Sequence, residues 1–312
     1  MDLNEIQAPV KDLLEESNSF LEGELKDNLG LINRLREDTP ITKGKKIRST
    51  LLFLLAGTEN CLSRDLPKIA ASLEMLHLSS LIHDDIVDHS KFRRGQKTLN
   101  FNFGNFLSVL WGDFLFITSL NIFSEINKEF TNIALKCAKA MIEGQLIEAE
   151  NTFNYQVEEK TYFDIITKKT SSLFGGIGEI ASKLNGSPKG REKGFCDFAL
   201  DFGTMFQISD DILDIFSDNS GKDRFRDLKE GKITLPIILL LKNNESQVVE
   251  NFSEDNKDVL LNLLKEYKIK QFSMQQLERY YDNCVDFLKS FPDSVYKKSL
   301  LELLNFVIYR DY

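Results

Sequence analysis

The chain contains little of what marks a disulfide-linked, thiolate-metal or β-rich protein. Its four cysteines stand far apart and form no CxxC pair: Cys61, Cys137, Cys196 and Cys284. This spacing does not match the common zinc or dithiol motifs, and it predicts reduced thiols in apolar surroundings. Only six prolines occur in 312 residues, and no Asn-Gly or Asp-Gly turn lies between alternating, strand-like segments. A β-sandwich or β-barrel is therefore not expected.

The chain also lacks an excess of positive charge and a long apolar run. The net charge is −9, from 39 basic and 48 acidic residues. Because nucleic-acid binding needs a large basic face, no nucleic-acid partner is expected, whereas a few converging cations could still bind a small anion. The N-terminal residues 1–5 are acidic, unlike a signal peptide, and no unbroken apolar run approaches the ~18 residues of a membrane span. We expect a cytoplasmic protein without a transmembrane segment.

Helical periodicity is present along most of the chain. Apolar side chains recur at helical spacing in residues 73–84 and again in residues 198–215. Predicted breaks lie at residues 38–40, 92–96, 151–157, 185–190, 218–231 and 291–292. No Ser/Gly-rich or Pro-rich linker separates the segments. The pattern predicts an all-α helical bundle, with residues 1–312 as a single domain.

Two aspartate-rich segments share their spacing and their apolar framing. They read SLIHDDIVD at residues 80–88 and FQISDDILD at residues 206–214. On a helix, the first and last aspartates of each motif lie one turn apart on one face, and the second aspartate flanks that face. The six candidate metal ligands are Asp84, Asp85, Asp88, Asp210, Asp211 and Asp214. Because neighbouring like charges repel, these acids indicate a cation, and Mg²⁺ accepts carboxylate, water and phosphate oxygens.

Basic residues occur in four groups, at positions 43–48, 93–94, 168–169 and 222–232. The first group precedes an apolar helix, where backbone N–H groups and cations together favour a phosphate. The second and fourth groups closely follow an aspartate motif. One DDxxD motif alone is more often a solvated acidic face. Two matching copies with basic groups after them favour a site where Mg²⁺ ions and cations hold a diphosphate.

These motifs, taken in order, resemble the trans-isoprenyl diphosphate synthases, also called the polyprenyl synthetase family. The resemblance extends from about Lys43 to Arg310. The motifs that carry it are GKKIR at 44–48, EMLHLSSLIHDDIVDHSKFRRG at 74–95, VLWGDFL at 109–115, EGQL at 143–146, KKTSSLF at 168–174, FGTMFQISDDILD at 202–214 and GK…DLKEGKITLP at 221–236. The resemblance implies an antiparallel helical bundle around a central cavity (the isoprenoid synthase type) and a homodimer. It also implies a magnesium-dependent prenyltransferase that condenses isopentenyl diphosphate with an allylic diphosphate.

The resemblance also implies roles by position. The six aspartates would bind several Mg²⁺ ions, with Mn²⁺ as an alternative, that bridge the allylic diphosphate. Contacts to that diphosphate are implied for Arg93, Lys169, Thr170, Gln207, Lys222 and Lys232, with Lys169 and Lys232 also assigned to catalysis. Isopentenyl diphosphate would be bound by Lys45, Arg48, His77 and Arg94. A lone histidine on an apolar helix is usually a core residue, but His77 lies two turns before Asp84 and so should face the same cavity.

Product length is predicted from the residues just before the first motif. Ser80 and Ser79 lie four and five positions before Asp84, one turn away along the direction in which a growing chain would pass. In family members that make the fifteen-carbon product, a bulky aromatic residue commonly blocks this level. Two serines leave it open. We therefore predict a linear all-trans product of twenty carbons or more, a quinone side-chain precursor or a related compound.

Several positions depart from the family pattern. Ser49 stands where proline usually follows the arginine, and Trp111 stands at a normally small position. Asp223 and Phe225 replace a usual proline and glycine, which predicts a stiffer or differently shaped loop around Lys222.

Three alternatives to a synthase remain open. A terpene cyclase would share the bundle and the first aspartate motif, but it normally lacks a second DDxxD of this form. A non-catalytic partner subunit of a synthase typically loses aspartates, whereas all six are present here. An acidic helical bundle without a ligand would bind no diphosphate at all.

Overall fold

The computed structural model describes residues 2–26, 30–39, 44–93, 95–186, 191–217, 224–243, 249–250, 252–253 and 256–309. Its α-helices are α1 (Leu3–Gln7), α2 (Lys11–Glu24), α3 (Gly30–Asp38), α4 (Ile47–Gly57), α5 (Leu66–Val87), α6 (Leu99–Ile126), α7 (Lys128–Glu150), α8 (Glu159–Ile166), α9 (Ser172–Leu184), α10 (Glu192–Phe216), α11 (Arg226–Lys229), α12 (Leu235–Leu241), α13 (Lys257–Glu266), α14 (Ile269–Leu288) and α15 (Val295–Ile308). A 3₁₀ turn (Ala8–Val10) follows α1, and a π-helical segment (Thr167–Ser171) joins α8 to α9. A short antiparallel hairpin pairs β1 (Phe92–Arg93) with β2 (Gln96–Lys97). The predicted all-α class is confirmed.

Helices α5 and α10 are the two central helices, and they carry the two aspartate motifs. Helix α10 packs against α9 on one side and α14 on the other, whereas α5 packs against α2 and α6. The α10 face that enters the core is aromatic and aliphatic, with Phe195, Phe202, Met205 and Ile208 all fully buried. Burial of each such side chain is worth about 1.5–3 kcal/mol. Both motif-bearing helices are therefore anchored by extensive apolar contacts.

Several predicted breaks between helices are confirmed, but those between α4 and α5, between α6 and α7, and between α13 and α14 were not predicted. Helix α3 ends at Asp38, α7 ends at Glu150, and residues 291–292 fall between α14 and α15. The predicted break at 218–231 is partly outside the described residues and contains the short helix α11. Two irregularities had no sequence prediction: the π-helical segment, and a kink in α6 where Gly104 has a φ of 80° that favours glycine.

Trp111 on α6 serves the packing of the N-terminal helices. It is buried in a second apolar cluster that joins α2, α3, α5 and α6. Its indole Nε1 donates a hydrogen bond to Thr39 Oγ1 at 2.9 Å, and its ring stacks on Phe114 at a centroid distance of 5.2 Å. The buried polar atom of the indole is thus satisfied by a residue at the end of α3.

Helix α6 exposes a row of large apolar side chains. Phe106 is 76%, Leu110 50% and Ile117 64% exposed. By length and composition alone, α6 could also cross a bilayer, and 39% of its most apolar window is buried in the protein. A search for unbroken apolar runs overlooks this helix because polar residues interrupt it. Core helices meet the same criterion, so the finding is weak evidence for a membrane span.

Candidate functional site

The two aspartate motifs line one cavity of about 680 Å³. Helix α5 contributes Asp84 and Asp88, and α10 contributes Asp210, Asp211 and Asp214. Further lining residues come from the π-helical segment and from the chain around α11. Of the residues predicted from the sequence, those that line the cavity are Asp84, Asp88, Arg93, Lys169, Thr170, Gln207, Asp210, Asp211, Asp214 and Lys232.

Acidic side chains outnumber basic ones in this cavity. Among the described lining residues, the carboxylates are Asp84, Asp88, Glu148, Asp210, Asp211, Asp214, Asp227 and Glu230, against the cations Arg93, Lys169, Arg226 and Lys232. Eight acids and four bases leave a formal excess of four negative charges. An anionic ligand alone would be repelled, so the donor set fits divalent cations that enter with a diphosphate.

The carboxylates of the cavity come from several elements: the C-terminal end of α5, α7, α10 and the chain around α11. Within the described part of the chain, no three Asp, Glu, His or Cys side chains are close enough to form a metal site without a ligand. Mg²⁺ is usually held by one or two carboxylates together with water and substrate phosphate oxygens. The spread arrangement therefore suits Mg²⁺ ions shared with a diphosphate.

The acids of the first motif are compensated by cationic side chains. Asp88 accepts a hydrogen bond from Lys232 Nζ at 2.7 Å. Asp85 accepts one from Arg93 Nε at 2.8 Å and is 7% exposed. Asp85 is not among the residues that line the cavity. Burial raises the pKa of Asp84, and the nearby Lys169 charge opposes that rise.

The acids of the second motif are compensated mainly by neutral donors. Asp211 is 1% exposed and accepts hydrogen bonds from Tyr162 Oη at 2.6 Å and Gln207 Nε2 at 2.8 Å. Asp214 accepts the backbone N–H of Arg226 at 3.1 Å and that of Asp227 at 3.4 Å. Burial raises the pKa of Asp211 well above its ordinary value and raises the pKa of Asp214 to about 6. Ionisation of the second motif is thus the costlier of the two without a metal.

The π-helical segment presents Lys169 and Thr170 to the cavity. Lys169 Nζ lies 2.5 Å from Glu148 Oε2, and Thr170 Oγ1 donates to Gln207 Oε1 at 2.8 Å. Two glycines let neighbouring helices approach this segment. A Cβ at Gly144 on α7 would lie 2.5 Å from the Lys169 backbone N, and one at Gly203 on α10 would lie 2.8 Å from Ser171 Cα. Such irregular turns are frequent at functional sites.

Three of the predicted isopentenyl diphosphate residues, Lys45, Arg48 and His77, lie outside the lining of this cavity. Lys45 Nζ sits 5.1 Å from the centre of the Phe306 ring, and Arg48 Cζ sits 4.8 Å from that of Phe174. His77 is half-buried on α5, two turns before the first motif. Arg94 and Lys222 lie outside the described residues. This second anion site therefore stays a prediction.

The residues assigned to product length also lie outside the cavity lining. Ser79 is buried, and Ser80 Oγ donates to the backbone oxygen of His77 at 2.7 Å. The hydroxyl of Ser80 is thus satisfied within its own helix. The role of both serines in setting product length stays a prediction.

Sequence reasoning missed several residues of the cavity: Glu148, Tyr162, Arg226, Asp227 and Glu230. Three of these fall within residues 222–232, a segment in which only Lys222 and Lys232 were predicted to bind the substrate. Burial, together with the charge of Asp214, raises the pKa of Asp227 to about 7. Glu148 and Tyr162 had no motif-level signal, because their roles depend on partners that are far away in sequence.

The departures at Ser49 and Phe225 have structural explanations. Ser49 donates both its backbone N–H and its hydroxyl to Glu74 Oε1, at 3.3 and 2.7 Å, and a proline would supply neither donor. Phe225 has a φ of 61°, in the region that favours glycine, yet its ring is fully buried against Phe252 at 5.2 Å. The ring anchors the chain immediately before α11.

Known proteins resemble this chain over its full length. The sequence profile described as Polyprenyl synthetase matches residues 31–267. Octaprenyl diphosphate synthase of Haemophilus influenzae is 29% identical, with 100% of this chain and 98% of that protein covered. All-trans-nonaprenyl-diphosphate synthase (geranyl-diphosphate specific) of Rhodobacter capsulatus is also 29% identical, over 98% and 97%. Polyprenyl synthase from Caulobacter crescentus, solved with calcium and isoprenyl diphosphate, superposes with a TM-score of 0.91 at 24% identity over 100% and 98% of the two chains. That likeness supports the fold.

Proposed function

The chain belongs to the polyprenyl synthetase family and is a prenyltransferase, and we propose that it condenses isopentenyl diphosphate with an allylic diphosphate. The product is a linear all-trans polyprenyl diphosphate of twenty carbons or more. The observation that carries this proposal is the single cavity in which two aspartate motifs and four cations meet. The cytoplasmic location and the single domain over residues 1–312 are proposals that rest on composition and on the absence of an evident linker.

Electrostatic stabilisation of the leaving diphosphate is the main task of the cavity. Mg²⁺, when bound, neutralises charge on the diphosphate and lowers the barrier to breaking the allylic C–O bond. Lys169, Lys232 and Arg93 stabilise the same negative charge from the protein side. The double bond of isopentenyl diphosphate then attacks the allylic carbon, the allylic C–O bond breaks with release of diphosphate, and a proton passes to that diphosphate to complete a chain five carbons longer.

The aspartates differ in their proposed roles. Five of the six aspartates line the cavity, and we propose that Asp84, Asp88, Asp210 and Asp214 hold Mg²⁺, because Asp211 is only 1% exposed. The sequence analysis proposed Asp85 and Asp211 as ligands too. Their carboxylates are bound to Arg93 and to the Tyr162–Gln207 pair, so we propose that these two acids support the site from behind.

The proposal is tested by incubating the purified chain with labelled isopentenyl diphosphate and allylic primers of several lengths, with Mg²⁺ or with a chelator. We expect magnesium-dependent products of twenty carbons or more. Hydrocarbon release from an allylic diphosphate alone would indicate a cyclase instead. If the chain is inactive alone but active with an added subunit, it is a partner protein of a synthase. If calorimetry detects no binding of magnesium diphosphate, the chain is a helical bundle without this ligand.

We also propose a homodimer that buries the exposed apolar row on α6. Phe106, Leu110 and Ile117 recur on one face of that helix, and Ile142 and Leu146 on α7 are each 61% exposed. Contiguous apolar surface of this kind is typical of an interface. Light scattering of Phe106→Asp/Ile117→Asp should show a monomer where the parent is a dimer. An unchanged mass would exclude this face, and binding of the parent to vesicles would assign the face to a lipid surface.

A further inference from the structure

Arg226 is a cation of the cavity to which the sequence analysis assigned no role. It is the first residue of α11 and lines the cavity together with Arg93, Lys169 and Lys232. The side chains of those three cations are 28%, 20% and 18% exposed, whereas that of Arg226 is 43% exposed. Arg226 is therefore the most accessible of the four.

The backbone of Arg226 is held firmly to the second aspartate motif. Its N–H donates to Asp214 Oδ1 at 3.1 Å, and the N–H of Phe225 donates to the backbone oxygen of Asp214 at 3.1 Å. The buried ring of Phe225 packs on Phe252 immediately before it. The backbone from which the Arg226 side chain extends is thus held in place, which limits the entropy lost when the guanidinium binds a ligand.

The guanidinium itself extends from the second motif towards the first. Its Nε donates to Glu230 Oε1 at 2.9 Å, and its Nη2 donates to Ser90 Oγ at 3.3 Å. Ser90 lies two residues beyond the last aspartate of the first motif. Glu230 also accepts from Lys232 Nζ at 2.8 Å, and Lys232 in turn binds Asp88. A chain of alternating charges therefore crosses the cavity, with Arg226 at its more exposed end.

The contact between Arg226 and Ser90 is the weakest of these hydrogen bonds. It is long, and its acceptor is a neutral hydroxyl, so a phosphate oxygen within the cavity would be a stronger acceptor for the same guanidinium. The planar guanidinium can keep Glu230 on Nε and still offer its two Nη groups to an anion. We propose that Arg226 binds a non-bridging oxygen of the allylic diphosphate when this substrate occupies the cavity. This inference rests on the proposed function of the same site.

The test uses calorimetry of the full-length chain with inorganic diphosphate and Mg²⁺. Arg226→Gln should weaken the binding of magnesium diphosphate about tenfold or more, the usual effect of losing a hydrogen bond to a charged group. Arg226→Lys keeps the positive charge but loses the planar guanidinium and its paired N–H donors. Its affinity for magnesium diphosphate should lie between those of the parent and of Arg226→Gln. Lys229→Gln, on the exposed side of the same short helix, should bind within about twofold of the parent.

A second variant separates anion binding from a structural pair with Glu230. If Arg226 served only to hold Glu230, Glu230→Gln and Arg226→Gln would weaken diphosphate binding alike. If Arg226 binds the anion, Glu230→Gln should strengthen binding or leave it unchanged, because it removes a negative charge from the cavity. Thermal unfolding of each variant checks that the fold is retained.

The outcomes are distinct. A parent that binds magnesium diphosphate and an Arg226→Gln variant that binds it equally well would overturn this inference and leave the proposed function in place. A parent that binds no magnesium diphosphate would overturn both. In steady-state kinetics, the expected signature of Arg226→Gln is a raised KM for the allylic substrate with the KM for isopentenyl diphosphate unchanged.

Discussion

The two aspartate motifs are close copies in sequence, but their surroundings in the structure differ. Acids of the DDIVD motif accept hydrogen bonds from the cations Lys232 and Arg93. Acids of the DDILD motif on α10 accept them from Tyr162, Gln207 and backbone N–H groups. Asp85 and Asp88 of the first motif each have a cationic partner, although burial still raises the pKa of Asp84 and of Asp85. Neutral donors compensate charge less well, which agrees with the raised pKa of Asp214. We infer that the first motif is electrostatically ready for a substrate and that the second depends more on bound Mg²⁺.

The largest expected effect comes from removing one metal-binding acid of either motif. Asp84→Asn and Asp210→Asn should each lower kcat about a hundredfold to a thousandfold, because each removes an electrostatic contact made in the transition state. Asp84→Asn should not lower the free energy of unfolding, since burial already disfavours the ionised acid. Steady-state kinetics and urea unfolding measure the two quantities.

Asp286→Asn is a control for these two variants, because its side chain on α14 is 70% exposed. It should leave kcat unchanged. If kcat falls strongly in one of the two motif variants and not in the other, the two motifs contribute unequally to catalysis.

The next effect concerns the glycines that flank the π-helical segment on its two sides. Gly144→Ala should lower kcat about tenfold to a hundredfold, because the added Cβ would lie 2.5 Å from the Lys169 backbone N and displace that residue. Gly203→Ala should have a smaller effect, since it meets Ser171 and Phe174 and not Lys169 itself. Steady-state kinetics of both variants show whether kcat depends more on the close approach of α7 or on that of α10 to the π-helical segment.

Gly23→Ala is the matched control, because a Cβ at this position on α2 would have no neighbouring atom within 4 Å. It should keep full activity and gain up to about 1 kcal/mol of stability from helix propensity. Equal activity of Gly144→Ala and Gly23→Ala would show that the close approach of α7 is not needed.

A smaller effect is expected where a neutral donor supports the second motif. Tyr162→Phe removes the hydroxyl that donates to Asp211 and leaves Gln207 in place. The free energy of unfolding should fall by about 1–3 kcal/mol, because a fully buried acceptor loses one of its two donors, and kcat should fall several-fold. Chemical unfolding and kinetics in increasing Mg²⁺ measure both.

Tyr281→Phe provides the comparison, because this hydroxyl donates to the neutral Asn305 at 2.8 Å. Its loss should cost only about 0.5–1.5 kcal/mol and leave kcat unchanged. If Tyr162→Phe and Tyr281→Phe have the same free energy of unfolding and the same kcat, the hydrogen bond from Tyr162 to Asp211 does not support the site.

The smallest expected effect on turnover is a change of product. The position that corresponds to Ser80 in the second motif is Phe206, whose ring packs 5.8 Å from that of Phe174. Ser80→Phe would place an aromatic ring before the first motif as well, so shorter products are expected with turnover largely retained. Chromatography of the products measures chain length, with Ser80→Ala as the control for loss of the hydroxyl. An unchanged product length in Ser80→Phe would exclude this position as the determinant.

Much of the candidate site could be predicted from the sequence. The all-α class and the five aspartates that line the cavity follow from spacing, and Lys169, Thr170, Gln207 and Lys232 follow from the family resemblance. Asp85 was predicted among the acids of the site, but it faces Arg93 behind the cavity lining. Trp111 had no explanation until its partner Thr39 was seen at the end of another helix.

The sequence by itself determined which side chains share a helix face, because the 3.6-residue period is local and needs no knowledge of the rest of the chain. Tertiary structure alone decided which acid has which partner. Lys232 and Asp88 are 144 positions apart, and Tyr162 and Asp211 are 49 apart. Two motifs that are nearly identical in sequence therefore acquire different electrostatics, because charge compensation depends on whichever residues the packing of α5 and α10 brings next to them.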